Sequence, residues 1–454
     1  MSARTYRATL VSAVAVALAI PAAAHARMRS GEHATTTPIK HFVTVLQENH
    51  TYDNYFGTYG KGDGLPADAC VPIDPHTNPA DCIRPFHLGD NDVIPRDLDH
   101  SADTYGTQWD GGRMDGFVQA LYARNQDGRL AMGYYNRRDL PYYWNLADSY
   151  VLFDRFFSSA GAGSFLNHVY WAAGRPGTGF DRIPQKGLGN LLTIFDRLER
   201  AGVSWKFYVQ NYEPHLNYRT VERFPGNRAS QVIWVPLLNI PRFLDNPRLA
   251  RHIVDLKQYY RDLDNGTLPA VSYIAPSGPS EHPPSSIASG QAFVRTLING
   301  LIRSSAWKDS AFLLAYDDWG GWFDHVRPPQ VDRFGYGFRV PALLVSPYAR
   351  RGVVDSTVLD FASILNFIEQ NWRLAPLAER DRRAKSFVTA FDFSQAARAP
   401  EFTAARTVPL LDAHVHRDRI YFLYGAALLA PAILAAYALF RRRSTGQVSK
   451  DVTG

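Results

Sequence analysis

Cysteine is nearly absent: two residues in 454, Cys70 and Cys82. A zinc site built from thiolates would need more soft ligands nearby, so the pair is read as one loop-closing disulfide, the usual state in an oxidising compartment. Excess charge is missing as well. The chain carries a formal +6, but residues 1–29 hold four arginines and no acid, and residues 420–454 hold three arginines, one lysine and one aspartate. The 41 basic and 42 acidic residues between those ends balance at −1, which gives no support to a nucleic-acid partner. No internal repeat or low-complexity tract interrupts the chain.

What is present begins at the two ends. Arg4 and Arg7, the apolar run Ala8–Ala23 and Ala24-His25-Ala26 have the order of a secretory signal peptide over residues 1–26. Ile420–Phe440 is 21 residues without a charge, followed at once by Arg441-Arg442-Arg443. That length suits one transmembrane helix, and the arginines place the tail 441–454 in the cytoplasm. These features predict a single-pass cell-membrane protein, anchored by its C-terminal helix, with its main domain outside; a buried core helix is the alternative for 420–440.

Between the ends, hydrophobic content of 46% and charged content of 20% describe an ordinary folded protein. Apolar, β-branched runs at 41–46, 150–154, 203–209, 270–275, 310–316 and 340–346 are nearly continuous, as strands covered on both faces are. Helical patterns at 188–201, 287–303 and 357–371 fall between them. This is a βαβ arrangement with a mostly parallel sheet, one α/β domain over 38–395. Residues 62–98 and 211–247, rich in Pro, Asn and Asp, read as excursions above the sheet, and 396–419 as a stalk.

Polar residues gather where these strands end. The first gives way to Glu48-Asn49 and the run 310–316 to Asp317-Asp318. In open α/β sheets the carboxyl ends of strands face the ligand crevice. Adjacent carboxylates are costly to bury without a cation, and hard divalent cations take oxygen ligands of these types. Each pair also has a plainer reading: Glu48 and Asn49 as helix caps, Asp317 and Asp318 as a solvated turn. Ser280-Glu281-His282-Pro283-Pro284 puts a histidine at the sheet's edge, or in a structural loop. Ser158–Gly174 leads small residues into Ser164 at the start of a helix, where backbone N–H groups can hold phosphate or where Ser164 simply caps.

Six stretches together resemble the bacterial phosphoesterase family of phosphatidylcholine-type phospholipases C and related acid phosphatases. They are QENHTYDNYFGTYG (47–60), DLDHSADTYGTQWDGGRMDGF (97–117), GAGSFLNHVYWAAG (161–174), the long block 281–326 beginning EHPPSS and ending DDWGGWFDHV, GFRVPALLVSPYARRGVV (337–354) and DFASILNFIEQNW (360–372). The resemblance covers 38–375 and implies an alkaline-phosphatase-like three-layer α/β/α core. It implies one or more divalent metal ions held by Glu48, Asn49, Asp317 and Asp318, with Ser164 as nucleophile. His100 and His282 would sit at the phosphate, with His325 close by. The substrate would be a phospholipid or a small phosphate ester; a surface acid phosphatase and a non-catalytic binding domain of the same fold are the alternatives. Two departures concern the substrate. The nucleophile block here reads Gly161-Ala-Gly-Ser164 and Asn167-His168 where the family usually has Gly-Pro-Thr/Ser and Asn-Arg, and Ser356 and Phe361 stand where it often has His. The Cys/Ser-x-Pro-x-Arg signature of sulfatases is absent around Ser164.

Overall fold

The computed structural model describes residues 34–89, 97–223 and 230–405. Eight strands form one sheet: β1 (His41–Gln47), β2 (Val151–Phe153), β3 (Trp205–Val209), β4 (Ile253–Asp255), β5 (Val271–Ala275), β6 (Ser310–Tyr316), β7 (Ala342–Val345) and β8 (Val353–Asp355). Their spatial order is β8-β2-β7-β6-β1-β5-β3-β4. All neighbours pair in parallel except β7, which is antiparallel to both β6 and β2. All seven residues of β6 and all five of β5 are buried, so the sheet is covered on both faces. Each large apolar side chain buried this way contributes about 1.5–3 kcal/mol relative to an exposed one.

The six expected strands are all in this sheet. The two extra ones, β4 and β8, are three residues each and only partly buried; they lie at the two edges, where a strand needs no long apolar run. Four helices matter for the site: α1 (Tyr52–Phe56), α2 (Ala102–Trp109), α3 (Ser164–Ala173) and α4 (Ile287–Arg303). The last has the boundaries read from its periodicity. Helix α3 lies on the β1–β5 part of the sheet, where the Trp171 ring packs tilted against Tyr273 with centroids 4.3 Å apart and donates to Thr44 Oγ1 at 3.3 Å.

Residues 71–74 and 78–83 pair as a separate antiparallel hairpin that Cys70 and Cys82 close with a disulfide, Cα atoms 5.5 Å apart. A loop of this length is worth about 3 kcal/mol in the chain-entropy model. Thiol titration of the unfolded, unreduced protein is expected to find no free thiol and to find two after reduction; two thiols before reduction would contradict the bond. Residues 396–405, the described part of the expected stalk, lie against the domain: Arg398 donates to Ser346 O and Ala349 O at 2.9 Å, and Asn145 to Ala404 O.

The expected membrane anchoring is corrected. No helix among the described residues is long and apolar enough to cross a membrane, and the segment 420–440 on which that expectation rested lies outside the described residues, as does the expected signal peptide at 1–26. A run of apolar residues specifies hydrophobicity but not a helix in place, and the described residues supply no membrane-crossing helix.

Candidate active site

Strands β1 and β6 are neighbours, and their register sets Gln47 opposite Tyr316. The residues that follow, Glu48 and Asp317, therefore leave the sheet side by side. Helix α1 is capped by Thr51, whose hydroxyl accepts from Asn54 N at 3.0 Å, so Glu48 and Asn49 are not its caps. All four of Glu48, Asn49, Asp317 and Asp318 are fully buried, which removes the solvated-turn reading. Gly320 makes the turn possible: at φ +60° it lies where a Cβ would come 2.3 Å from Asn49 O, so only glycine fits.

Strand β2 leads to Ser164, the first residue of α3, with Gly163 in the cap position. Its Oγ lies 3.3 Å from Glu48 Oε2 and 3.3 Å from Asp318 Oδ2. One turn along the same helix face comes His168, which donates through Nδ1 to Ser164 O at 2.9 Å. That bond selects the tautomer whose Nε2 lone pair is free, and Nε2 points into the acids, 3.7 Å from Glu48 Oε1. Glu48 Oε1, His168 Nε2 and Asp317 Oδ2 are all buried without a hydrogen-bond partner, and these three residues form a group able to hold a metal ion. Buried polar atoms are nearly always bonded, so three orphans converging on one spot fit a divalent cation.

The electrostatics agree. Burial, then the charges of Asp317 and Asp318, push Glu48 well above the usual carboxylate range. Burial and Asp317 do the same to Asp318. Burial lowers His168, keeping it in the neutral form that binds metals. One polar atom of the Asn49 amide lies 3.1 Å from both Asp317 Oδ1 and Glu48 Oε2, and the other 3.2 Å from His100 Nε2. As nitrogen the first donates to both carboxylates; as oxygen it would complete a ring of hard ligands around a cation.

His100 and His282 border one cavity of about 620 Å³ with Ser164, together with Leu98, Phe165, Ile183 and Ile233. Both His100 nitrogens are engaged, Nδ1 by Leu98 O at 2.7 Å and Nε2 by Asn49. Burial alone would lower His100, but Asp318 and Asp97 outweigh it and lift it to about 9. His282 directs Nδ1 to Pro283 O at 2.7 Å; the nearest acid to its Nε2 is Asp97 at 4.0 Å.

His325 has other partners. Its contacts are with a separate ionic cluster and none is with Glu48, Ser164, Asp317 or Asp318: Nδ1 lies 2.6 Å from Asp53 Oδ2 and Nε2 3.2 Å from Asp63. Fully buried Arg339 bridges Asp53 at 3.0 Å and Asp324 at 2.8 Å and donates to the carbonyls of Asp63 and Asp154. Arg339→Met would leave two buried acids without their cation, a loss of about 3–5 kcal/mol. Urea unfolding measures it, and a change under about 1 kcal/mol would mean the acids are neutral in the native protein. His168, by contrast, stands out in the sequence only as a departure from the family's usual Asn-Arg pair. Its spacing of four from Ser164 was the available signal, since only a helix turns i and i+4 to one side.

The Phosphoesterase family model matches residues 39–375. Phospholipase C A of Mycobacterium tuberculosis is 29% identical over 79% of this chain and 78% of its own length. Non-hemolytic phospholipase C of Burkholderia pseudomallei is 29% identical over 83% of this chain and 61% of its own length, and non-specific phospholipase C6 of Arabidopsis thaliana 26% over 79% and 73%. Among solved structures, a protein in the alkaline phosphatase superfamily from Vibrio parahaemolyticus is 12% identical over 73% of this chain and 66% of that one, with a TM-score of 0.35. The chain belongs to the phosphoesterase family and is a hydrolase of phosphoric esters.

Proposed function

We propose that the protein is a metal-dependent phospholipase C-like enzyme that cleaves phosphodiesters through a phosphoseryl intermediate on Ser164. The observation that carries this reading is the Ser164 hydroxyl held 3.3 Å from two buried carboxylates, beside three unpartnered ligand atoms. Glu48, Asp317 and His168 would hold the cation, with Asn49 and Asp318 completing its shell. Bound there, a divalent ion supplies Lewis acidity at the phosphoryl oxygens and lowers the pKa of a bound hydroxyl.

Ser164 Oγ attacks phosphorus, and its proton is within reach of Glu48 and Asp318. As the bond to the leaving alcohol breaks, His282 Nε2 delivers a proton to that oxygen. In the second step His282 takes a proton from the water that hydrolyses the phosphoserine. His282 suits this part because its Nε2 is open to the cavity, whereas His100 spends both nitrogens orienting Asn49 and its own loop. The apolar residues Phe165, Ile183 and Ile233 beside the nucleophile favour an ester with an apolar alcohol, which supports a phospholipid over a soluble phosphomonoester.

The test is to assay the protein on phosphatidylcholine, sphingomyelin and a chromogenic monoester, before and after chelation and metal return. Metal-dependent diacylglycerol release from phosphatidylcholine is expected. Faster hydrolysis of the monoester than of either lipid would replace this reading with that of an acid phosphatase.

A further inference from the structure

Glu281 is a buried carboxyl group that no step above uses. It is fully buried and sits at φ +69°, immediately before His282. Four donors converge on its two oxygens. Oε2 accepts from Tyr55 at 2.5 Å and Tyr316 at 2.7 Å; Oε1 accepts from Tyr143 and from Gln47 Nε2 at 3.3 Å. Two accepting oxygens suit this set, because an amide in the same place would turn its own N–H groups toward the Gln47 Nε2 donor. Helix α4 is shaped around it: a Cβ on Gly290 would lie 2.1 Å from Glu281 Cγ.

The identities of the donors matter more than their number. Gln47 precedes Glu48, Tyr316 precedes Asp317, and these two are register partners. Side chains alternate across a sheet, so Gln47 and Tyr316 face Glu281 on one side while Glu48 and Asp317 face Ser164 and His168 on the other. Tyr55 belongs to α1, which follows Asn49. A backbone bond from Glu48 N to Ser280 O at 2.8 Å ties the same two segments. One carboxylate thus grips the strand ends that present the candidate metal ligands and is joined directly to His282. A purely structural core position would be filled at less desolvation cost by an apolar side chain.

We propose that Glu281 is the positioning residue of the site, holding His282 at the geometry that proton delivery to the leaving alcohol requires. This rests on the role given to His282 above. The experiment measures kcat/KM, which reports the first phosphoryl transfer, on phosphodiesters whose leaving alcohols run from alkyl to p-nitrophenyl. A nitrophenolate leaves without a proton, so a misplaced acid is felt only on the alkyl esters. Glu281→Gln is expected to lose on the order of 10–100-fold on alkyl esters, less than the roughly 10²–10⁴-fold that removing a general acid outright costs, and less than about 3-fold on the nitrophenyl ester. Tyr143→Phe, which removes one donor and little volume, should show the same selectivity more weakly, and serves if Glu281→Gln does not fold.

His282→Ala separates the two claims. If it is selective for alkyl esters while folded Glu281→Gln and Tyr143→Phe lose equally on all esters, or lose nothing, the positioning role is overturned and the function stands. Loss of selectivity in His282→Ala itself would overturn the acid assignment and the positioning role with it, leaving metal-dependent hydrolysis through Ser164 untouched.

Discussion

Ser164→Ala is expected to lower kcat by about three to six orders of magnitude, as removing a nucleophile does in hydrolases that work through one, and to leave bound metal unchanged. The separation of the two effects follows from the geometry. Ser164 Oγ touches Glu48 and Asp318 at 3.3 Å, but the unpartnered atoms that converge nearby belong to Glu48, His168 and Asp317. The small loss of volume at the first position of α3 does not disturb His168, whose Nδ1 bond is to the Ser164 carbonyl and survives in alanine. Turnover on a chromogenic phosphodiester, bound metal by elemental analysis, and acid-quench trapping of a phosphorylated Ser164 peptide are the three readouts. A folded Ser164→Ala protein with near-normal turnover would end the phosphoseryl mechanism.

The second large effect is expected at Asp317. Asp317→Ala removes one anionic oxygen from the shell, and metal affinity should fall by more than the roughly 10–100-fold that losing an outer-shell partner costs, with hydrolysis lost alongside. Glu48→Gln keeps shape and loses charge, so it should weaken metal binding but recover activity at high metal concentration. Stability should move the other way once metal is chelated. Glu48 and Asp318 stand above their ordinary values of 4.5 and 3.8 because of burial and then mutual repulsion. An acid whose folded pKa is raised contributes stability in full only below its unfolded pKa and loses it as pH rises through the folded one. Chelated wild-type protein is therefore expected to melt lower at pH 8 than at pH 5, and chelated Asp317→Ala, relieved of one repelling charge, to lose less over that interval. Tm in chelator at the two pH values checks this. A wild-type Tm that is higher at pH 8 would show that the three acids are not coupled as their positions indicate.

His100, lifted to about 9 by Asp318 and Asp97 against the effect of its burial, carries a proton on each nitrogen at neutral pH. It can then donate to Leu98 O and to an Asn49 oxygen at once, which is the amide orientation that leaves Asn49 nitrogen on the carboxylates.

The strands were legible in the sequence because a strand buried on both faces must be apolar at every position, and six such runs recur between helical patterns. Helix α4 was legible to the residue for a related reason: its buried residues, from Ile287 through Val294 and Leu297 to Ile302, repeat at helical spacing. The pairs Glu48-Asn49 and Asp317-Asp318 stood out as acids placed directly after such runs, where burial without a cation is costly. What local pattern could not contain was which run lies beside which. Parallel strands look alike in sequence, so the adjacency of β1 and β6, and the reversed β7 beside β6, are settled only by how the helices and loops pack. The same limit hid the ionic clusters, because Asp53 and Arg339 are 286 residues apart. A histidine that ends in such a cluster, His325, reads identically to one at a cavity mouth, His282, until the partners arrive. His168 and Glu281 show the converse: neither stands directly after an apolar run, and His168 reaches the acids from its own helix, one turn beyond Ser164, while Glu281 is reached by the side chains of Gln47 and Tyr316 at the strand ends.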